Sequence, residues 1–204
     1  KVNGEERKAY ATLRQDYLVD NMVIASETGS LGAGTSSPES RANVPPVVTV
    51  QGDGIRSARP GEPIFVDTLV EDDGLPQPTD PVEDARRFAE FAGGALAAAL
   101  VTPEAVMQRR LMSPPIKPTV DKVNGLYYSW NKYRGPGEVT FDPPQVKVWE
   151  DTRTSANSPW GALFLPPPVP DDGIYRVSMT FSEPGEYILW GRADDGGLYH
   201  DAYV

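Results

Sequence analysis

An all-β sandwich is the fold class that this sequence predicts, and three observations carry the prediction. Proline (21) and glycine (19) are scattered as punctuation along the 204 residues. Between them lie short runs in which apolar and polar residues alternate, the period of a half-buried strand. Turn-forming clusters separate these runs, as they do in sandwiches and barrels. The chain is long enough to bury a core without staples. It has no cysteine, so disulfides, thiolate nucleophiles and cysteine-bound metals are excluded.

The elements follow in order. Residues 1–43 read as an arm and linker outside the sandwich. Within them Tyr10, Leu13, Tyr17, Leu18, Met22 and Val23 recur at spacings of three and four, so a helix or extended arm is expected. Residues 29–43 are rich in Gly and Ser and read as a linker. The sandwich is expected over 44–204. Val47–Val50 is its first strand, after Pro45-Pro46. Ile64–Val70 alternates cleanly and stops at the acidic turn Glu71-Asp72-Asp73-Gly74.

Residues 75–120 interrupt the strand pattern. Asp80 is a candidate N-cap with Pro81 at the first helical position. A helix is expected over Val82–Val101 and a second over Pro103–Met112. Gly93-Gly94 weakens the first as a free helix. Its apolar run is far shorter than the ~20 residues needed to span a bilayer.

Strands then return at Leu126–Tyr133, Glu138–Phe141, Gln145–Trp149, Ile174–Phe181, Glu186–Ala193 and Leu198–Val204. Residues 158–172 form a proline-rich loop around Trp160. No repeat of 20–50 residues is present.

Charge and motif content remove several functions. There are 29 acidic and 19 basic residues, a net charge of −10. Such a chain repels nucleic-acid phosphate and anionic lipid, and it carries no basic stripe to offset this. Any Ser-His-Asp triad would have to use the single histidine, His200. Nucleotide-binding glycine patterns, H-E-x-x-H and G-x-S-x-G are absent. Lys1 onward has no apolar run of the signal-peptide type. Either there was none, or a leader or anchor preceded Lys1.

The segment Phe181–Gly196, FSEPGEYILWGRADDG, resembles the penultimate-strand region of PKD-type and related bacterial immunoglobulin-like domains. Asn43-Val44-Pro45-Pro46 resembles the start of such domains. Gly61-Glu62-Pro63 with IFVDTLVEDDG resembles their second strand, and Trp130 on LYYSWNKY their core tryptophan. Residues 139–159 are similar to a stretch of uncharacterised secreted bacterial proteins that pair it with such a sandwich. The resemblance covers about 44–74 and 120–204. It implies an immunoglobulin-like Greek-key sandwich, with Tyr187 at the corner before its strand and its hydroxyl tied to backbone upstream. It also implies a place outside the cytoplasm, periplasmic or at the cell surface. Such domains usually continue their last strand as an alternating Val/Thr run, whereas this chain stops at Val204; an end that is disordered, cut or supplied by a partner is expected.

Candidate sites follow from residue types. Asp72, Asp73, Asp194 and Asp195 lie in turns that the sandwich would bring to one end, where carboxylates and carbonyls suit calcium. Asp-Gly turns need no ligand to explain them. A two-carboxylate glycosidase site has nothing placing its pair across a groove. Tyr127, Tyr128, Trp130, Tyr133, Trp149, Trp160 and Trp190 invite a carbohydrate platform. Neighbours on a strand face opposite ways, however, so Tyr128 and Trp130 share one face and Tyr127 and Tyr133 the other. One of these faces must be core. Trp149 and Trp160 are expected to be the more exposed.

The apolar residues outside the sandwich, Tyr10, Leu13, Tyr17, Phe88, Phe91, Leu96 and Leu100, need cover, as does Trp160. They are the expected partner contacts. The leading expectation is a non-catalytic accessory subunit in an extracytoplasmic assembly, such as the periplasmic side of a membrane complex. It needs no cofactor. A carbohydrate- or calcium-binding module of a secreted protein is the alternative.

Overall fold

A computed structural model describes residues 42–78, 80–112, 125–149, 151–161 and 163–204. Tyr10, Leu13 and Tyr17 lie outside them. The elements are β1 (Val47–Val50), β2 (Ile64–Glu71), α1 (Pro81–Ala99), α2 (Pro103–Met112), β3 (Tyr127–Arg134), β4 (Val139–Asp142), β5 (Ile174–Phe181), β6 (Ile188–Asp194) and β7 (Tyr199–Tyr203). The strands form two antiparallel sheets, ordered β1-β2-β5-β4 and β3-β6-β7. β7 lies within the chain itself and pairs with β6 from Trp190–Tyr203 to Asp194–Tyr199.

Alternation decides which residues enter the core. On β2, Val66, Thr68 and Val70 point inward, and on β5 Val177 and Met179 do. The other sheet answers with Tyr128, Trp130, Leu189 and Ala193. Trp130 is completely buried, and its ring meets that of Tyr128 edge-on at 5.7 Å. Gly191 makes room for this pair: a Cβ there would sit 2.0 Å from the Tyr128 hydroxyl. Burial of that hydroxyl raises its pKa well above the ordinary tyrosine value.

β3 is buried on both faces from Tyr127 to Asn131. A single covered face would leave Tyr127 and Ser129 wet. The 143–165 segment covers them instead. It lays Val146, Val148 and Phe164 on Tyr127, with Trp190 at the margin. The Ser129 hydroxyl donates to the Val146 carbonyl, and the Trp130 amide donates to Gln145 Oε1 at 2.8 Å. Gln145–Trp149 was expected to be a strand and is not one. These side-chain contacts hold it against β3 outside any ladder, while Lys147 N–H donates to the Asn157 carbonyl of the same segment. Asp151 secures the far side, taking Lys147 Nζ at 2.8 Å and Arg153 Nε at 2.8 Å. Arg153 first, then Lys147, holds its carboxyl well below the usual carboxylate range.

The insert between β2 and β3 carries the two helices α1 and α2. Asp80 caps α1, its carboxylate accepting from Val82 N–H at 2.8 Å and Glu83 N–H at 3.2 Å. Gly94, at φ 75°, breaks α1 into two segments, a conformation open to glycine and strained for other residues. No helix among the described residues is long and apolar enough to cross a membrane.

Candidate functional site

Three regions hold the residues singled out in the sequence. The first is the corner before β6. The Tyr187 hydroxyl donates to the Glu183 carbonyl at 2.9 Å and accepts from Gly137 N–H at 3.0 Å. The turn before β4 is thereby tied to the turn before β6. Gly135 is required there, because a Cβ would lie 2.2 Å from the Tyr187 ring. The resemblance implied a tyrosine bonded to backbone upstream at this corner, and one is present.

The second region is the end of the sandwich where β2 and β6 finish. The two acidic turns leave different sheets and both reach the segment just before β1. Val44 N–H donates to Asp73 Oδ2 at 3.0 Å. The Asn43 side chain hydrogen-bonds the Asp195 carboxyl group. One oxygen of each of the four aspartates closes its own turn. Asp72 accepts from Gly74 N–H at 2.8 Å, Asp73 from Leu75 N–H at 2.9 Å and Asp194 from Gly196 N–H at 2.8 Å. Asp195 Oδ1 accepts from the amides of Gly197 and Leu198, both at 2.5 Å. No three His, Asp or Glu side chains among the described residues converge closely enough to hold a metal by themselves.

Asp72 Oδ1 and Asn43 Oδ1 are buried without a hydrogen-bond partner, as are the Tyr175 hydroxyl and the Trp130 indole N–H elsewhere in the sandwich. Asp195 is 0 % exposed and Asn43 7 %. Burial pushes the Asp195 carboxyl up to about 8, and Asp194 beside it adds to the shift against the lowering effect of the backbone amides. Burial also raises Asp72, with Asp73 contributing. Asn43 was read in the sequence only as the start of the domain. Nothing short of the fold places its amide against a turn 152 residues later.

The seam between the sheets lies close by. The His200 ring on β7 reaches β1, with Nδ1 accepting from Val48 N–H at 3.2 Å and lying 3.1 Å from the Pro46 carbonyl. On the outer face of β6, Arg192 makes a two-pronged ion pair with Asp201, 2.7 Å at each prong. Its guanidinium packs 4.7 Å from the Trp190 ring centre and 3.9 Å from that of Tyr199.

The third region is the helical pair. Phe88, Phe91, Leu96, Leu100 and Met112 are all exposed, Phe91 at 91 %. α1 buries only Ala98, and α2 buries no residue. Of the rings proposed for a carbohydrate platform, Tyr127, Tyr128 and Trp130 are core residues, and Trp190 is half-buried under Arg192. Trp160, expected to be the more exposed, is half-buried. Trp149 is exposed as expected. Tyr133 and Tyr203 are exposed and meet edge-on at 5.8 Å. No protein-family model matches this chain, and no curated protein or solved structure is significantly similar to it.

Proposed function

We propose that this protein is a non-catalytic accessory subunit, in which the sandwich is a rigid body and the helical insert is the anchor to a protein partner. One observation carries the reading. The insert places Phe88, Phe91, Leu96 and Leu100 in solvent on a helix that buries almost nothing of its own. Helices of this kind gain most of their stability from packing an apolar face. An exposed cluster of large apolar side chains is the signature of a contact surface.

The sandwich is read as immunoglobulin-like and PKD-type. The strand order β1-β2-β5-β4 and β3-β6-β7 supports this, since it is the ABED and CFG order of a seven-strand Greek key. The hydroxyl bonds of Tyr187 support it as well. On that resemblance the assembly is extracytoplasmic and bacterial, with the periplasmic side of a membrane complex as one setting. A carbohydrate-binding role has less in its favour. The exposed rings Tyr133 and Tyr203 stand edge-on to each other rather than side by side as a flat platform.

The test is sizing of the native extract together with a photo-crosslinking residue at Phe91. The expected result is elution in a complex, with a crosslinked partner that serine at Phe88, Phe91, Leu96 and Leu100 releases. Those four serines should leave the melting of the sandwich unchanged. Elution of the unaltered chain alone, at the size of a monomer and without crosslinks, overturns the proposal.

A further inference from the structure

The edges of the two sheets belong to β1, β4, β3 and β7. An edge strand presents a row of bare N–H and C=O groups, which is a template for another chain. Three of these edges are closed. On β1, Val48 N–H, which points away from β2, donates to the His200 ring at 3.2 Å, and Pro45-Pro46 precede the strand. β4 has four residues, with Pro136 in the turn before it and Pro143-Pro144 directly after it. On β3, Trp130 N–H points away from β6 and donates to Gln145 Oε1 at 2.8 Å, and a bulge breaks the register between Lys132 and Arg134.

β7 carries none of these devices. Leu189 and Val204 exchange both backbone hydrogen bonds, at 2.8 and 3.1 Å. Bonded and non-bonded pairs alternate along an antiparallel ladder. Val204, Ala202 and His200 therefore turn their backbone groups toward β6, and Asp201 and Tyr203 turn theirs away from it. The register runs without a bulge from Tyr203 to Tyr199. Among the described residues, nothing bonds the outward N–H and C=O groups of Asp201 and Tyr203. β1 meets β7 on its inner side, through His200. On the outer side Tyr203 is 55 % exposed, beside the exposed ring of Tyr133.

We propose that the outer edge of β7 receives an extended, basic peptide segment of a protein partner as an added strand. The class of occupant follows from the edge itself. N–H and C=O groups repeating at the strand period are matched by another extended backbone. The sign of the occupant follows from charge. This chain carries a net charge of −10, and Arg192, the guanidinium beside β7, is already bound to Asp201. Lysine or arginine on the guest is therefore drawn in. On the outer face the guest's alternate side chains lie beside Tyr199 and Tyr203, where aromatic and β-branched residues pair best. This surface is separate from the helical hairpin and does not depend on what the hairpin binds.

The experiment reads amide hydrogen exchange by NMR on the full chain. In the isolated protein the Asp201 and Tyr203 amides should exchange roughly 100-fold faster than that of Ala202. The probe is a synthetic heptapeptide of alternating valine and threonine with lysine at each end. At about 1 mM it should slow both amides about fivefold. The same peptide N-methylated at every valine and threonine keeps the side chains without the donors, and it should slow neither. Tyr203→Pro removes an N–H that makes no bond to β6, so the variant should fold and bind the peptide about tenfold more weakly. Serine at Phe88, Phe91, Leu96 and Leu100 should leave peptide binding unchanged, which separates this surface from the hairpin. Asp201 and Tyr203 amides as slow as that of Ala202 in the isolated chain overturn the proposal. So does a peptide that slows neither amide, an N-methylated peptide that slows them equally, or full affinity in folded Tyr203→Pro.

Discussion

Trp130 and Phe91 are both large rings on regular elements of one chain, yet the first is fully buried and the second is 91 % exposed. The difference lies in what faces each element. β3 has a second sheet on one side and the 143–165 segment on the other, so every side chain from Tyr127 to Asn131 finds cover. Among the described residues α1 has α2 as its neighbour, and α2 buries nothing. Helices and strands form in both regions from local signals: alternation in one, Asp80 and Pro81 in the other. Burial requires a neighbour, and the hairpin has none within the described part of the chain. Apolar residues therefore report a core in the sandwich and an unmet surface in the hairpin.

The comparison can be broken at its strong end first. Trp130→Ala should cost about 3–5 kcal/mol, because the rigid sheets cannot collapse onto the cavity. Urea unfolding of the isolated protein measures this. A loss below about 1 kcal/mol would show that the sandwich core is not the source of stability.

Next in size is a pH dependence. Asp195 titrates at about 8 in the folded chain, against 3.8 for the free side chain. Between these values the folded state holds a proton that the unfolded state has released. Stability contributed by this group is therefore full below pH 4 and falls as the pH rises towards 8. The slope is at most about 1.4 kcal/mol per pH unit. In EDTA, Asp195→Asn should remove this slope between pH 5 and 8. An unchanged slope would mean that other groups set the pH response.

The smallest effect is expected on the hairpin. Phe88→Ser and Phe91→Ser together should change the stability of the isolated chain by less than about 0.5 kcal/mol, the range of surface substitutions. A loss of 2 kcal/mol or more would show that these rings are covered within the chain itself and would erase the contrast with Trp130.

Much of the architecture was legible in the residues. IYRVSMTF reads as a strand over the span that β5 occupies, and Pro103–Met112 as the helix found there, because alternation and capping are local signals. Gln145–Trp149 misled, since an alternating segment looks the same whether it pairs in a ladder or lies across a sheet face. Trp160 could be read either as an exposed ring or as a loop residue covering the core, and its half-buried position is a matter of how that loop folds. The acidic turns were legible as turns. Their meeting at Asn43 was not.

By itself, then, the sequence determined most of the strands, the helix cap at Asp80 and the excess of acid. All of these rest on contacts within a few residues or on composition. Only the tertiary structure decided that both faces of β3 are covered, that Arg192 is paired with Asp201, and that Asn43, Asp72 and Asp195 share one end of the molecule. Those facts depend on the order in which strands pair and on how loops fold back. Such long-range choices are settled by burying area and satisfying polar groups across the whole chain, and no local pattern encodes them.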